Sequence, residues 1–324
     1  MVEERVVVTG GAGFIGSHIV DKLVEQGLEV VVVDNLSSGS IENLKHHLEK
    51  GTIVFERVDL KNWEEVKRVI RDAEAVLHYA ANPEVRVSTT HPEVHFRENV
   101  LTTFNVLEAM RVNDVATIVF ASSSSVYGEP EEIPVGENAP IKPVSVYGAS
   151  KAACENFIHA YSKLYGFNAV ILRYANIVGS RLRHGVIYDF LLKLLSNQLE
   201  LEVLGDGMQT RSYLYISDAV NATITAWQRS PKGFSIYNVG NEDWITVSEV
   251  AHIVLSELGL LGKTKVKYKP VLHGVGWPGD VKKIALDISR LKELGWKPKL
   301  DSREAVRRTV RDLVAELGIA FPST

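Results

Sequence analysis

Six short runs of β-branched and apolar residues recur through the first half of this chain, each followed by a longer stretch with helical periodicity. The runs are Arg5 to Thr9, Glu29 to Asp34, Thr52 to Val58, Ala75 to Tyr79, Ala116 to Ser122 and Asn168 to Arg173. They carry consecutive apolar side chains, as in Val30 to Val33, and lack an inside–outside alternation. Strands of that kind are covered on both faces, so the pattern predicts an α/β protein built on a doubly wound parallel sheet. Between the runs, Ile15, Ile19 and Leu23 share one helical face, as do Phe96, Val100, Phe104 and Leu107. The expected first domain spans 1–175. From 176 to 324, loops rich in Gly and Arg alternate with helical stretches near Ile187 to Ser196, Asp218 to Arg229, Val247 to Leu258 and Asp301 to Leu317. They predict a smaller α/β domain, with a segment of about 217–240 returning to the first.

Composition narrows the function classes. With 36 basic and 40 acidic residues spread along the chain and a formal net charge of -4, no basic field awaits nucleic acid or an anionic membrane. No apolar run approaches the ~18 residues of a membrane span, and no basic-then-apolar leader precedes the first strand. The single Cys154 makes no internal disulfide, and a cytoplasmic protein is expected.

Chemistry first shows in Thr9-Gly10-Gly11-Ala12-Gly13-Phe14-Ile15-Gly16-Ser17, which leaves a strand and opens a helix. Glycines there let the backbone turn tightly and bring a pyrophosphate to the helix N-terminus, as in Rossmann-like folds. Alone they describe any tight turn. The next strand, however, ends in Asp34, whose carboxylate can accept both hydroxyls of an adenosine ribose and would repel a 2′-phosphate, which favours NAD over NADP. The plainer reading makes Asp34 a turn residue with Asn35.

Tyr147 and Lys151 stand four residues apart, on one helical face. An isolated pair of this kind is surface more often than site; the serine run Ser122 to Ser125, at the C-terminal end of the fifth strand, adds a third group at the edge where such sheets bind ligands. A phenol ionises near ~10, so a tyrosine base at neutral pH needs roughly three units of depression, about 4 kcal/mol in favour of the phenolate. Lys151 and a cationic nicotinamide are the expected sources. Together these residues predict hydride removal from a secondary alcohol.

In order and spacing these motifs resemble the extended short-chain dehydrogenase/reductase family acting on nucleotide sugars, and within it the UDP-glucose (UDP-galactose) 4-epimerase branch. Further matching stretches are Val58-Asp59-Leu60, His78-Tyr79-Ala80-Ala81, Asn99, Ser122 to Gly128, Arg173-Tyr174-Ala175-Asn176, Gly205 to Arg211 and Pro278-Gly279-Asp280. The resemblance implies Tyr147, Lys151 and Ser123 as catalytic residues; Ser123 comes from counting back from Gly128, with Ser124 the alternative. It implies an NAD site of Gly10, Gly13, Phe14, Ile15, Gly16, Asp34, Asn35, Ser37, Ser38, Gly39, Asp59, Leu60, Ala80, Ala81, Asn99, Ser122, Tyr147, Lys151 and Tyr174. For a UDP-sugar it implies Ser123, Tyr147, Asn176, Val186, Val203, Gln209, Arg211 and Asp280, and it implies no metal. Two long helices, Pro92 to Val112 and Val146 to Tyr165, resemble the family's dimer interface, with Phe96 and Phe157 as outer apolar positions and a homodimer as the expected assembly.

One departure is Trp277, where the family has Arg before Pro-Gly-Asp. It removes a charge-assisted contact worth roughly 1.5 to 3 kcal/mol, unless Arg181 or Arg183 compensates. Beside the catalytic serine the chain has Ser124 and Ser125, where dehydratases of the family carry an acid–base pair and decarboxylases a Glu. An epimerase needs neither, because its 4-keto intermediate only turns over and takes the hydride back. The expected reaction is therefore interconversion of UDP-galactose and UDP-glucose with NAD retained. The alternatives are an NAD-dependent nucleotide-sugar decarboxylase or dehydratase, an epimerase for N-acetylated or uronic UDP-sugars, or a non-catalytic dinucleotide-binding protein.

Overall fold

The structure, a computed structural model, describes residues 4–269 and 284–319. In chain order its first half holds β1 (Arg5–Thr9), α1 (Phe14–Glu25), β2 (Glu29–Val33), α2 (Lys45–Lys50), β3 (Val54–Glu56), α3 (Trp63–Ile70), β4 (Ala75–His78), α4 (Glu93–His95), α5 (Thr102–Val112), β5 (Thr117–Ser123), α6 (Val146–Tyr165) and β6 (Asn168–Tyr174). The second half holds β7 (Asn176–Val178), α7 (Val186–Ser196), β8 (Glu200–Leu204), β9 (Thr210–Arg211), β10 (Tyr213–Tyr215), α8 (Ile216–Arg229), β11 (Phe234–Val239), β12 (Ile245–Thr246), α9 (Val247–Glu257), β13 (Lys265–Lys269), α10 (Ser289–Glu293) and α11 (Ser302–Leu317).

Seven strands form one sheet in the order β11-β6-β5-β4-β1-β2-β3. The pairs β1–β2, β2–β3, β1–β4, β4–β5 and β5–β6 are all parallel, with Val6 opposite Val30 and Ala75. Val6 to Val8, Val30 to Val33 and Ala75 to Leu77 are buried along both sheet faces, which is why these runs are unbroken apolar stretches. The direction of winding reverses between β1 and β4. Ligands of such sheets bind at that point, beyond the C-terminal strand ends.

The chain divides into two compact units. The first comprises the chain up to Gly128, Ile141–Tyr174 and Val220–Tyr237; the second comprises Glu129–Pro140, Ala175–Ala219 and the chain from Asn238. Residues 129–140 join the second unit through backbone: Val135 N–H donates to the Ala285 carbonyl (2.8 Å) and Asp287 N–H to the Val135 carbonyl (2.9 Å). Within the second unit β7 pairs with β10 and β8 with β13 in parallel, and β9 pairs with β12 in antiparallel sense.

One helical face departs from the sequence pattern. Between α4 and α5 lies a π-helical stretch, Phe96–Leu101. Its wider turn breaks the 3.6-residue phase on which a shared face for Phe96, Val100, Phe104 and Leu107 rests. Leu107 is fully buried and Val100 packs against the core, but Phe96 is 61% and Phe104 39% exposed. Asn99, inside the π stretch, is buried instead.

Candidate active site

The glycine turn after β1 is closed so tightly that side chains have no room. A Cβ on Gly16 would stand 2.2 Å from the Gly10 carbonyl oxygen, and one on Gly10, whose φ is +69°, would stand 2.5 Å from the Ala80 backbone nitrogen. Gly13 caps α1 with no side chain over the helix end, and no acidic residue occupies the first turn, which Phe14 and Ile15 open. The N–H groups of that turn have no partner within the helix, so the cradle fits a pyrophosphate. Ala81 follows Ala80 beyond β4, at the other side of the reversal.

Asp34 is almost fully buried just past β2. Its Oδ2 accepts from Ala12 N–H (3.0 Å) and its Oδ1 from Leu36 N–H (2.8 Å), while burial pushes the carboxyl above its ordinary range. The loop beyond it stays close: Ser37 N–H donates to Asn35 Oδ1 (2.9 Å), and a Cβ on Gly39 would stand 3.0 Å from Asp34 Oδ2. Ser38 is exposed. Asp59, half-exposed, is paired with Lys61 (3.1 Å). The Leu60 side chain belongs to the core, and its carbonyl accepts from Asn105 Nδ2 (2.8 Å).

At the end of β5, the Ser123 hydroxyl is hydrogen-bonded to the Tyr147 phenol. Ser123 also caps the short turn Ser124–Tyr127, its Oγ accepting from Ser125 N–H (3.2 Å), so the run of four serines is placed in register by that cap. α6 positions Tyr147 and Lys151. Ser145 caps its N-terminus by accepting from Gly148 N–H (3.1 Å), and Tyr147 N–H donates to Ser88 Oγ (3.1 Å). Lys151 is buried; its ammonium donates to the Ala121 carbonyl (2.8 Å) and lies 4.9 Å from the Phe120 ring centroid and 6.0 Å from that of Tyr147.

Burial dominates the titration of both groups, pushing the Tyr147 phenol up to about 12 against the lowering hydrogen bond from Ser123, and the Lys151 ammonium down to about 8. The Lys151 ammonium is directed to a backbone carbonyl, and the hydrogen bond from Ser123 lowers the tyrosine. Asn99 backs the site: its Oδ1 accepts from Asn82 N–H (2.8 Å) and its Nδ2 donates to Ser150 Oγ (2.9 Å).

Two candidate cofactor residues are engaged elsewhere. The Ser122 hydroxyl donates to Glu155 Oε1 (2.5 Å), and the Tyr174 hydroxyl meets Thr223 Oγ1 (2.6 Å) and the Tyr79 hydroxyl (3.0 Å). Sequence reasoning missed Glu155, which also pairs with the fully buried Arg173 (2.6 Å). The available signal was its spacing, four residues beyond Lys151 and eight beyond Tyr147, hence the same helical face. It missed Ser88 too, for which no local pattern exists.

In the second unit, β7 and β10 pair Asn176 with Tyr213, and Asn176 Nδ2 donates to the Ser212 carbonyl (3.3 Å), next to Arg211. Gln209 is buried, and among the described residues its Oε1 has no hydrogen-bond partner, which leaves an acceptor for a ligand N–H or O–H. Val186 opens α7, and Val203 is fully buried in β8. Arg183 pairs with Glu316 (2.9 Å). Asp280 and Trp277 lie outside the described residues.

A doubly wound sheet with a glycine cradle at its reversal point, an acid closing the second strand and a Ser–Tyr–Lys group at the fifth defines an NAD-binding enzyme of the short-chain dehydrogenase type. The chain belongs to the NAD dependent epimerase/dehydratase family, whose profile matches residues 6–240. It is 41% identical over 313 residues to a putative UDP-glucose 4-epimerase of Methanocaldococcus jannaschii, covering 94% of this chain and 97% of that protein. Among solved structures, a UDP-galactose 4-epimerase superposes with a TM-score of 0.87 at 49% identity, covering 97% of this chain and 99% of the other. A UDP-N-acetylglucosamine 4-epimerase from Methanobrevibacter ruminantium, in complex with UDP-N-acetylmuramic acid, gives 0.87 at 32% identity, covering 98% and 100%. NAD is the cofactor.

Proposed function

We propose that this enzyme interconverts UDP-galactose and UDP-glucose by transient oxidation at C4, with Tyr147 removing the C4 hydroxyl proton and returning it. NAD, when bound, would supply the hydride acceptor for this oxidation. The observation that carries the reading is the Ser123–Tyr147 hydrogen bond, with only Ser124 and Ser125 beside it. A sugar hydroxyl bonded to both oxygens would lie in line for proton transfer, and no second acid or base stands at those two positions to expel water or handle a carboxylate. Lys151 orients the helix face carrying the phenol, and the glycine cradle with Asp34 and Asp59 holds the dinucleotide. Asn176, Gln209 and Arg211, with Asp280, take the UDP portion, so that binding energy rests on the nucleotide and leaves the sugar free to turn.

Likeness to an N-acetylglucosamine epimerase keeps a C2-substituted sugar in the test. The purified protein is incubated with NAD and either UDP-galactose or UDP-N-acetylgalactosamine, and the nucleotide sugars are separated chromatographically. Conversion of UDP-galactose, reduced about 10²- to 10⁴-fold in Tyr147→Phe with NAD still bound, is the expected result. Turnover of the acetylated sugar alone would reassign the substrate, and a stable keto or decarboxylated product would reassign the reaction.

The exposed Phe104 on α5 and Phe157 on α6 are in edge contact at 5.9 Å between centroids, and Phe96, Leu164 and Tyr165 are exposed as well. Apolar surface of this kind supports a homodimer through α5 and α6.

A further inference from the structure

Three imidazoles gather round one carboxylate where α1 meets α2. Asp21 Oδ1 lies 3.3 Å from His46 Nε2 and 2.9 Å from His47 Nε2, and Asp21 Oδ2 lies 3.8 Å from His18 Nδ1. The ligating atoms of Asp21, His46 and His47 all fall within 4.8 Å of one another. Ligands about 2.0–2.1 Å from a tetrahedral zinc ion stand about 3.3 Å apart, so both edges at the carboxylate are already near that length. Closing the third needs only a rotation of His46, which is 47% exposed.

The burial gradient is that of a site with an entrance. His47 is buried, Asp21 partly so, and His46 faces solvent, leaving an approach for the ion and a fourth position for water. The inner ligand has its own support: the Thr52 hydroxyl stands 2.9 Å from His47 Nδ1 and 3.4 Å from the His47 carbonyl. By donating to that carbonyl and accepting from Nδ1–H, Thr52 leaves Nε2 as the ligating nitrogen, the outer-shell arrangement typical of metal-bound histidine. None of these residues belongs to the set assigned to NAD or sugar.

We propose that Asp21, His46 and His47 bind a divalent transition-metal ion, zinc by the preference of its imidazole–carboxylate donor set, as a clip between α1 and α2. Magnesium, which prefers oxygen ligands and keeps its waters, does not compete. The test titrates tag-free, chelator-dialysed, NAD-bound protein with zinc chloride in a calorimeter, with magnesium chloride as control. One equivalent of zinc binds, the thermal midpoint rises with it, and His46→Ala, which alters an exposed side chain and keeps the fold, weakens binding at least about tenfold and abolishes the thermal rise. No saturable zinc binding, or equal binding by parent and His46→Ala, overturns the site and reduces the cluster to a hydrogen-bonded contact between two helices.

Discussion

Lys151 is held in a place its charge disfavours, and that sets a measurable sign. Burial lowers its ammonium to about 8 from 10.5, so the folded protein binds fewer protons than the unfolded chain between those values. Stability from this group therefore rises as pH climbs from about 8 towards 10.5, and the full penalty is present below about 8. Replacing Lys151 with Met should raise denaturant stability more at about pH 7 than at about pH 10, where the parent lysine is largely neutral. Equal effects at both values, read by urea unfolding, would mean the lysine is not desolvated as the geometry indicates. A destabilised lysine beside a tyrosine is what a site built for chemistry looks like, because stability alone would place an apolar residue there.

At the scale of elements, α6 carries more than the reacting pair. Glu155 on α6 accepts from Ser122 on β5 and pairs with Arg173 on β6, and the Arg173 guanidinium also donates to the Tyr127 hydroxyl (2.9 Å). This network fixes the helix to the two strands whose ends shape the site. Glu155→Ala removes the carboxylate paired with a buried guanidinium and should destabilise by about 3–5 kcal/mol. Chemical denaturation followed by circular dichroism checks it, and a variant as stable as the parent would show that the helix is held by apolar packing alone. The π stretch acts at the same scale: by shifting the helical phase it buries Asn99 against Ser150 on α6 and leaves Phe96 outside. π turns are frequent at functional positions.

For the molecule as a whole, net charge and exposed surface point to different partners. The chain carries a formal net charge of -4, and among the described residues no helix is long and apolar enough to cross a membrane. The exposed Phe104 on α5 and Phe157 on α6 lie on the surface through which the homodimer is proposed. Light scattering should report twice the 35.9 kDa of one chain, and Phe104→Glu with Phe157→Glu should return it to a single chain. A parent that already scatters as one chain at micromolar concentration removes the dimer.

The doubly wound sheet was legible because unbroken apolar runs such as Val30 to Val33 have only one comfortable setting, between two helical layers. The cofactor turn was legible for a similar reason: with a Cβ 2.2 Å from a carbonyl, Gly16 admits no other residue. Spacing alone put Tyr147 and Lys151 on one helical face. What the sequence could not determine were contacts between residues far apart along it. That Ser123 and not Ser124 meets the phenol depends on a turn cap; that Lys151 reaches a carbonyl depends on how α6 lies against β5. The phase of Phe96 depends on one π turn, and the gathering of Asp21, His46 and His47 on the approach of two helices. Local pattern records which face of an element is buried. Which distant atom a buried polar group meets is decided only when the elements pack, because desolvation and hydrogen bonding act at contact distance and not along the chain.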